Sequence, residues 1–148
     1  FTMLRATCAL PMFFPAIELD GQKYYDGGIA DPIPAKKALE DGCDKLIIVL
    51  TQPRGFVKHF GKYDKIGARM LGHRYPEMKR QIFSRPELYN ETVKYCEQLE
   101  TEGKAMIIRP NHLLNSFESN VSRLEMAYWH GYRMTKEKMK KIKKFLTE

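Results

Sequence analysis

"YYDGGIADPIP", residues 24–34, decides how this chain is read. A carboxylate is followed by two glycines, then by a second Asp and two prolines, directly after an aromatic strand-like run. A turn accounts for Asp26, Gly27 and Gly28, because glycine reaches backbone angles that a Cβ forbids. Just upstream, "AIELDGQKYY" (16–25) reads as two short strands joined by Asp20-Gly21, the strongest two-residue hairpin signal. Pairing across that turn sets Leu19 opposite Gln22, Glu18 opposite Lys23 and Ile17 opposite Tyr24. An opposite-charge pair and an apolar pair on alternate faces make a self-consistent register. The second strand then ends at Tyr25 and delivers Asp26 at its tip.

Working outward, "FTMLRATCALPMFFPAIEL" (1–19) begins like a helix and breaks at Pro11. Downstream, "DPIPAKKALEDG" (31–42) predicts a helix capped by Asp31, with Pro32 and Pro34 in its first turn and Gly42 ending it. "CDKLIIVLTQP" (43–53) is a strand that is apolar on both faces, as expected of a central strand in a covered sheet. Helix then strand after a hairpin gives an α/β fold class. Residues 53–83 mix glycines, basic residues and aromatics and predict short helices. A longer helix is expected from Pro86 to Glu102, with Tyr89, Val93, Cys96 and Leu99 or Glu100 at helical spacing. "KAMIIRP" (104–110) is a second short strand stopped by Pro110. A last helical region starts near Asn120, with Val121, Leu124, Tyr128 and Gly131 on one stripe, and Thr135 is expected to cap a further short helix. No internal repeat or low-complexity linker interrupts residues 1–148, so a single domain is expected.

The chain has 148 residues, 43% of them apolar and 29% charged, ordinary values for a soluble globular protein. The longest buried-strand-like run, "LIIVL" at 46–50, is far short of a membrane span. We read no signal peptide in the chain, and its opening on Phe1 rather than Met, within apolar sequence, makes us expect it to be part of something longer. Cys8, Cys43 and Cys96 are odd in number, far apart and without a CxxC pair, which argues against disulfides and zinc and for a reducing, cytoplasmic setting. "NET" at Asn90 and "NVS" at Asn120 match the glycosylation pattern and are read as chance matches.

The net charge of +7 is uneven. From Arg133 to Glu148 seven Lys or Arg oppose two Glu, which leaves only +2 on the other 132 residues. A nucleic-acid-binding body would carry its basic surface in the fold itself, so nucleic acid is not an expected partner. The tail "TKEKMKKIKKFLTE" (135–148) places Met139, Ile142 and Leu146 at helical spacing with six lysines around them. Two readings stay open: a basic amphipathic helix in peripheral contact with an anionic membrane, or a terminal helix packing that stripe on its own domain.

"RATCALPMFFPAIELDGQKYYDGGIADPIP" (5–34) resembles the patatin-like phospholipase family, bacterial type. The matching residues are Ala6, Thr7, Ala9, Pro11, Phe14 and Pro15, then, past the hairpin, Asp26, Gly27, Gly28, Asp31, Pro32 and Pro34. The later strands and terminal helix look like bacterial members too, so the likeness is expected over most of the chain. The resemblance implies the C-terminal part of a three-layer α/β/α fold and an acyl-ester (lipid) hydrolase built on a Ser–Asp dyad without cofactor. Asp26 matches the dyad Asp, and Gly27, Gly28, Asp31 and Pro32 match the motif around it. A serine hydroxyl is a poor nucleophile and needs a base within hydrogen-bond reach, and a carboxylate serves as one when partly desolvated. Met12, Phe13 and Phe14 are candidates to line an acyl-chain channel, with core packing as the alternative.

The family also uses a serine in a Gly-x-Ser-x-Gly elbow and a glycine-rich oxyanion loop, and neither occurs in these 148 residues. Ser84, Ser116, Ser119 and Ser122 have no flanking glycine elbow. The chain is therefore expected to carry the Asp half of a site, with its serine in upstream sequence, and to be inactive alone. The alternative is a non-catalytic patatin-like interaction module whose basic tail binds anionic surfaces. His59, His73, His112 and His130 show no metal-ligand spacing, so no metal is expected. The substrate class, a lipid or a small ester, is as far as the sequence reaches.

Overall fold

Asp20 (φ 51°) and Gly21 (φ 74°) both adopt left-handed backbone angles, as the two central residues of a type I′ hairpin turn must. The computed structural model describes all residues except Met12, Arg74, Ser116, Phe117 and Glu148, and only the backbone of Tyr63 and Leu71. Along the chain run α1 (Thr2–Thr7), β1 (Ile17–Leu19), β2 (Gln22–Tyr24), a 3₁₀ turn (Gly27–Ile29), α2 (Ala35–Glu40), β3 (Leu46–Val49), α3 (Lys62–Gly72), α4 (Pro76–Thr101), β4 (Ala105–Ile108) and α5 (Val121–Thr147). The chain forms two compact units, one of residues 1–34 and 57–94, the other of 35–56 and 95–148.

In the first unit β1 and β2 pair antiparallel with Ile17 opposite Tyr24, Glu18 opposite Lys23 and Leu19 opposite Gln22, the register read from the sequence. The strand stops at Tyr24, one residue early. Beyond it the backbone N–H of Asp26 donates to the carbonyl of Ala9 at 3.0 Å, tying the hairpin exit to the end of α1. Ile29 at the end of the 3₁₀ turn is buried with Ala68 of α3 and Ile82 of α4, and Phe60 and Met78 pack against them. Each large apolar side chain so buried contributes about 1.5–3 kcal/mol, which fixes the turn to both helices.

In the second unit β3 and β4 are parallel, Leu46 opposite Ala105 through Val49 opposite Ile108. Their inward side chains, Leu46, Ile48, Ala105 and Ile107, are buried, as are Ile108, Cys96, Leu99 and Ile142 of the same unit. Glu100 secures the sheet, its carboxylate accepting from the N–H of Ile107 at 2.9 Å and from Arg54 at 3.0 Å. Helix α2 ends in a Schellman motif at Gly42 (φ 95°), and α4 ends in the same way at Gly103 (φ 73°).

Four local expectations are corrected. The 43–53 strand is not covered on both faces among the described residues, for Ile47 and Val49 point outward and are exposed. An apolar run shows that both faces tolerate burial, not that a second layer lies on each. Helix α2 starts at Ala35, four residues after Asp31, so Asp31 is not its cap; its N–H instead donates to the Gly27 carbonyl at 2.9 Å, an α-type bond that closes off the 3₁₀ turn. Pro86 does not open a helix but sits buried inside α4, where it offers no N–H to the preceding turn. Thr135 caps nothing: α5 runs unbroken through it, and the helix starts where Asn120 Oδ1 accepts the N–H of Arg123 at 3.1 Å.

Candidate functional site

Asp26 caps the 3₁₀ turn that follows it, its Oδ1 accepting the N–H of Gly28 at 2.7 Å. Neither glycine has a left-handed φ, so their role is not the one expected from a turn. They are needed for space. A Cβ on Gly28 would lie 2.9 Å from Asp26 Oδ1, and one on Gly27 would lie 3.0 Å from Thr7 Oγ1. The turn therefore brings the Asp26 carboxylate over its own backbone, half-buried, with Oδ1 held and Oδ2 left to act.

Helix α4 builds the surroundings of this turn. Ile82 anchors the helix in the core; one turn on, Arg85 Nε donates to the Gly28 carbonyl at 3.0 Å, and Arg85 Nη1 lies 4.0 Å from Asp64 Oδ1 of α3. Four residues later the Tyr89 ring lies 5.2 Å beneath the Lys58 ammonium. Asn90 clamps the backbone of the same lysine from both sides, accepting from its N–H at 2.8 Å and donating to its carbonyl at 2.9 Å. Burial pushes the Lys58 ammonium below its ordinary pKa, and Arg85's charge adds to this against the opposing pull of Asp64 and Asp26. Two cations and two carboxylates thus meet at the strand tip.

The residues read from the sequence divide clearly. Asp26, Gly27 and Gly28 form one turn, while Asp31 is exposed and Pro32 half-buried just beyond it. Phe13 and Phe14 are both exposed, so core packing does not account for them; Met12 lies outside the described residues. Ser84 spends its hydroxyl on the carbonyls of Arg80 and Gln81, and Ser119 and Ser122 are exposed; Ser116 lies outside the described residues. Cys8 and Cys43 are exposed and Cys96 is buried, and none of the three is in a disulfide. Among the described residues no group of three or more His, Cys, Asp or Glu could hold a metal ion. The sequence reading missed Lys58, Asp64 and Arg85. The spacing Ile82, Arg85, Tyr89 would have put Arg85 on the inward helix face if the helix had been extended upstream of Pro86, without showing what it meets.

A separate apolar groove of about 610 Å³ lies within the second unit. Val49, Leu50 and Ile108 line it from the strands, and Tyr128, Tyr132 and Met139 line it from α5. It includes neither Asp26 nor Phe13 nor Phe14.

Comparison with known proteins gives two family matches on separate stretches. Residues 2–39 match the patatin-like phospholipase family, and residues 75–147 match a domain of unknown function, DUF6363. The patatin-like likeness is thus shorter than the expected cover of most of the chain: it takes in α1, the hairpin, the Asp26 turn and most of α2, and α4 to α5 fall to the other family. The chain is also similar to the uncharacterized protein YjjU of Escherichia coli (strain K12), with 40% identity over 52 residues. That stretch is 34% of this chain and covers only 15% of the relative's length.

Proposed function

We propose that this chain is part of a serine acyl-ester (lipid) hydrolase of patatin-like type, in which Asp26 is the base. The observation that carries the reading is the placement of Asp26 inside the stretch that matches the patatin-like phospholipase family, on a turn whose glycines hold its carboxylate fixed. The nucleophilic serine and its oxyanion loop come from sequence outside these 148 residues, and β3 and β4 are two strands of a three-layer α/β/α sheet completed there. In the reaction Asp26 Oδ2 takes the serine proton as the serine oxygen bonds to the ester carbonyl carbon. Collapse of the tetrahedral intermediate breaks the ester C–O bond, and the departing alcohol takes that proton. Water, deprotonated in turn by Asp26, then adds to the acyl carbon; the serine–acyl bond breaks, the serine oxygen takes the proton back from Asp26, and the acid leaves.

Asp26→Asn in the full-length protein tests this. The amide keeps the shape and the acceptor oxygen for Gly28 but cannot hold the serine proton, so esterase activity is expected to fall about 10²–10⁴-fold at unchanged folding. Activity within a few-fold of wild type would overturn the assignment. The net charge of +6 on α5 favours a second reading, a non-catalytic patatin-like module whose basic tail binds anionic surfaces. A fluorophosphonate probe separates the two: the full-length enzyme labels on one serine, a module on none.

A further inference from the structure

Helix α5 carries eight Lys or Arg against two Glu, a net +6 out of the chain's +7. Its inward side is settled within the second unit. Ile142 is buried, Phe145 is half-buried, and Lys45 donates to the Phe145 carbonyl at 2.7 Å while lying 5.2 Å over its ring. The Met139, Ile142 and Leu146 stripe is therefore not the free apolar face, since its central residue is already used.

The exposed apolar surface is elsewhere on the helix. Trp129, Tyr132, Arg133, Lys136, Lys140 and Lys143 are all exposed and lie three, four, seven, eleven and fourteen residues from Trp129, so they share one face. Glu125 is the acidic residue on that face. Tyr128, Trp129 and Tyr132 support one another: the indole meets the two phenol rings edge-on at 5.2 and 5.6 Å, and Lys136 sits 5.8 Å over the Tyr132 ring. Trp129 is 53% and Tyr128 64% exposed despite this mutual packing. Packing against the chain's own fold thus explains the Ile142 side; Tyr128 and Tyr132 border the groove of the second unit, yet about half or more of each ring, and of Trp129, stays exposed.

We propose that this face of α5 docks on a bilayer surface bearing anionic headgroups. Tyr and Trp have an apolar body and a polar edge and settle at the headgroup level, where one end is dry and the other wet. The lysines continuing along the same face toward the C-terminus then reach the lipid phosphates, an attraction confined to about a Debye length and hence sensitive to salt. No helix among the described residues is long and apolar enough to cross a membrane, so α5 lies on the surface and does not span it. The inference stands on α5 alone and does not need Asp26 to be catalytic.

Trp129 is the single tryptophan of the sequence, so its emission reports on the proposed face directly. With vesicles of two parts phosphatidylcholine to one part phosphatidylglycerol at low salt, we expect co-sedimentation, a blue-shifted emission and quenching by brominated acyl chains. High salt reverses all three, and pure phosphatidylcholine vesicles give none. Lys136→Glu, Lys140→Glu and Lys143→Glu together, checked for unchanged helicity, abolish sedimentation; Tyr128→Ser with Tyr132→Ser weakens it several-fold and lessens the blue shift. Co-sedimentation with an unshifted Trp129 would mean another surface binds and would overturn the proposal. So would equal binding to neutral vesicles, no binding at low salt, or a blue shift produced only by a nucleic-acid duplex.

Discussion

Asp26 and Gly28 define each other's position: the Gly28 N–H donates to Asp26 Oδ1 at 2.7 Å, and a Cβ at residue 28 would stand 2.9 Å from that same oxygen. The carboxylate can cap the turn only because residue 28 lacks a side chain. Gly28→Ala is therefore expected to displace the carboxylate and, in the full-length protein, to lower activity well beyond its effect on melting temperature. Gly27→Ala meets only the exposed Thr7 hydroxyl, which can rotate away, so it should be the milder change. Parallel thermal melts and esterase assays of the two variants check the order. A Gly28→Ala protein as active as wild type would show that the close approach is immaterial.

Arg85 joins α4 to the turn by its bond to the Gly28 carbonyl and its pairing with Asp64, both largely out of solvent. Arg85→Met strands that carbonyl and leaves Asp64 without its cation. The expected loss is about 1.5–3 kcal/mol, the range for a hydrogen bond to a charged group. Urea unfolding at an unchanged slope measures it. A loss below a few tenths of a kcal/mol would mean that the turn is held by Ile29 alone.

Lys58 gives a pH dependence with a definite sign. Its folded-state pKa is lowered from the ordinary 10.5, first by burial and then by Arg85. Between the lowered value and the ordinary one the unfolded chain binds the proton and the folded one does not, so this group's contribution to stability rises with pH across that window. At neutral pH the charged ammonium costs stability. Lys58→Met, which keeps the apolar stem over Tyr89, should be more stable than wild type at pH 7, with the gap closing as pH approaches 10.5. Denaturation midpoints of both proteins across that range decide it, and a Met variant less stable at neutral pH would reverse the assignment.

In the second unit Arg109, 9% exposed, pairs with Glu97 at 2.8 Å, and its Nη2 is buried with no hydrogen-bond partner among the described residues. Removing the carboxylate strands a buried cation, whereas removing the arginine takes away the charge and the orphan donor together. Glu97→Ala is expected to cost toward the low end of about 3–5 kcal/mol, because Glu97 itself is partly exposed, and Arg109→Met distinctly less. Chemical unfolding of the two variants gives the order, and equal losses would show that the guanidinium is well solvated in the folded state.

What the sequence determined by itself is what adjacent residues decide. The alternation from Ile17 to Tyr24 and the Asp20-Gly21 turn gave the hairpin register, the Gly42 helix stop and the Asn120 helix start were legible, and the two short parallel strands stood out as apolar runs. Each depends on neighbours within a few positions, where backbone angles and side-chain spacing act. Tertiary structure decided the rest. Pro86 sits inside α4 and α5 runs through Thr135, because packing along a whole helix outweighs one unfavourable position. The reason for the two glycines is a clash distance visible only once the Asp26 carboxylate folds back over its own turn. Lys58, Asp64 and Arg85 reach that turn from segments 32 to 59 residues downstream of Asp26, and no local pattern marks charges that meet only when α3 and α4 close around Ile29.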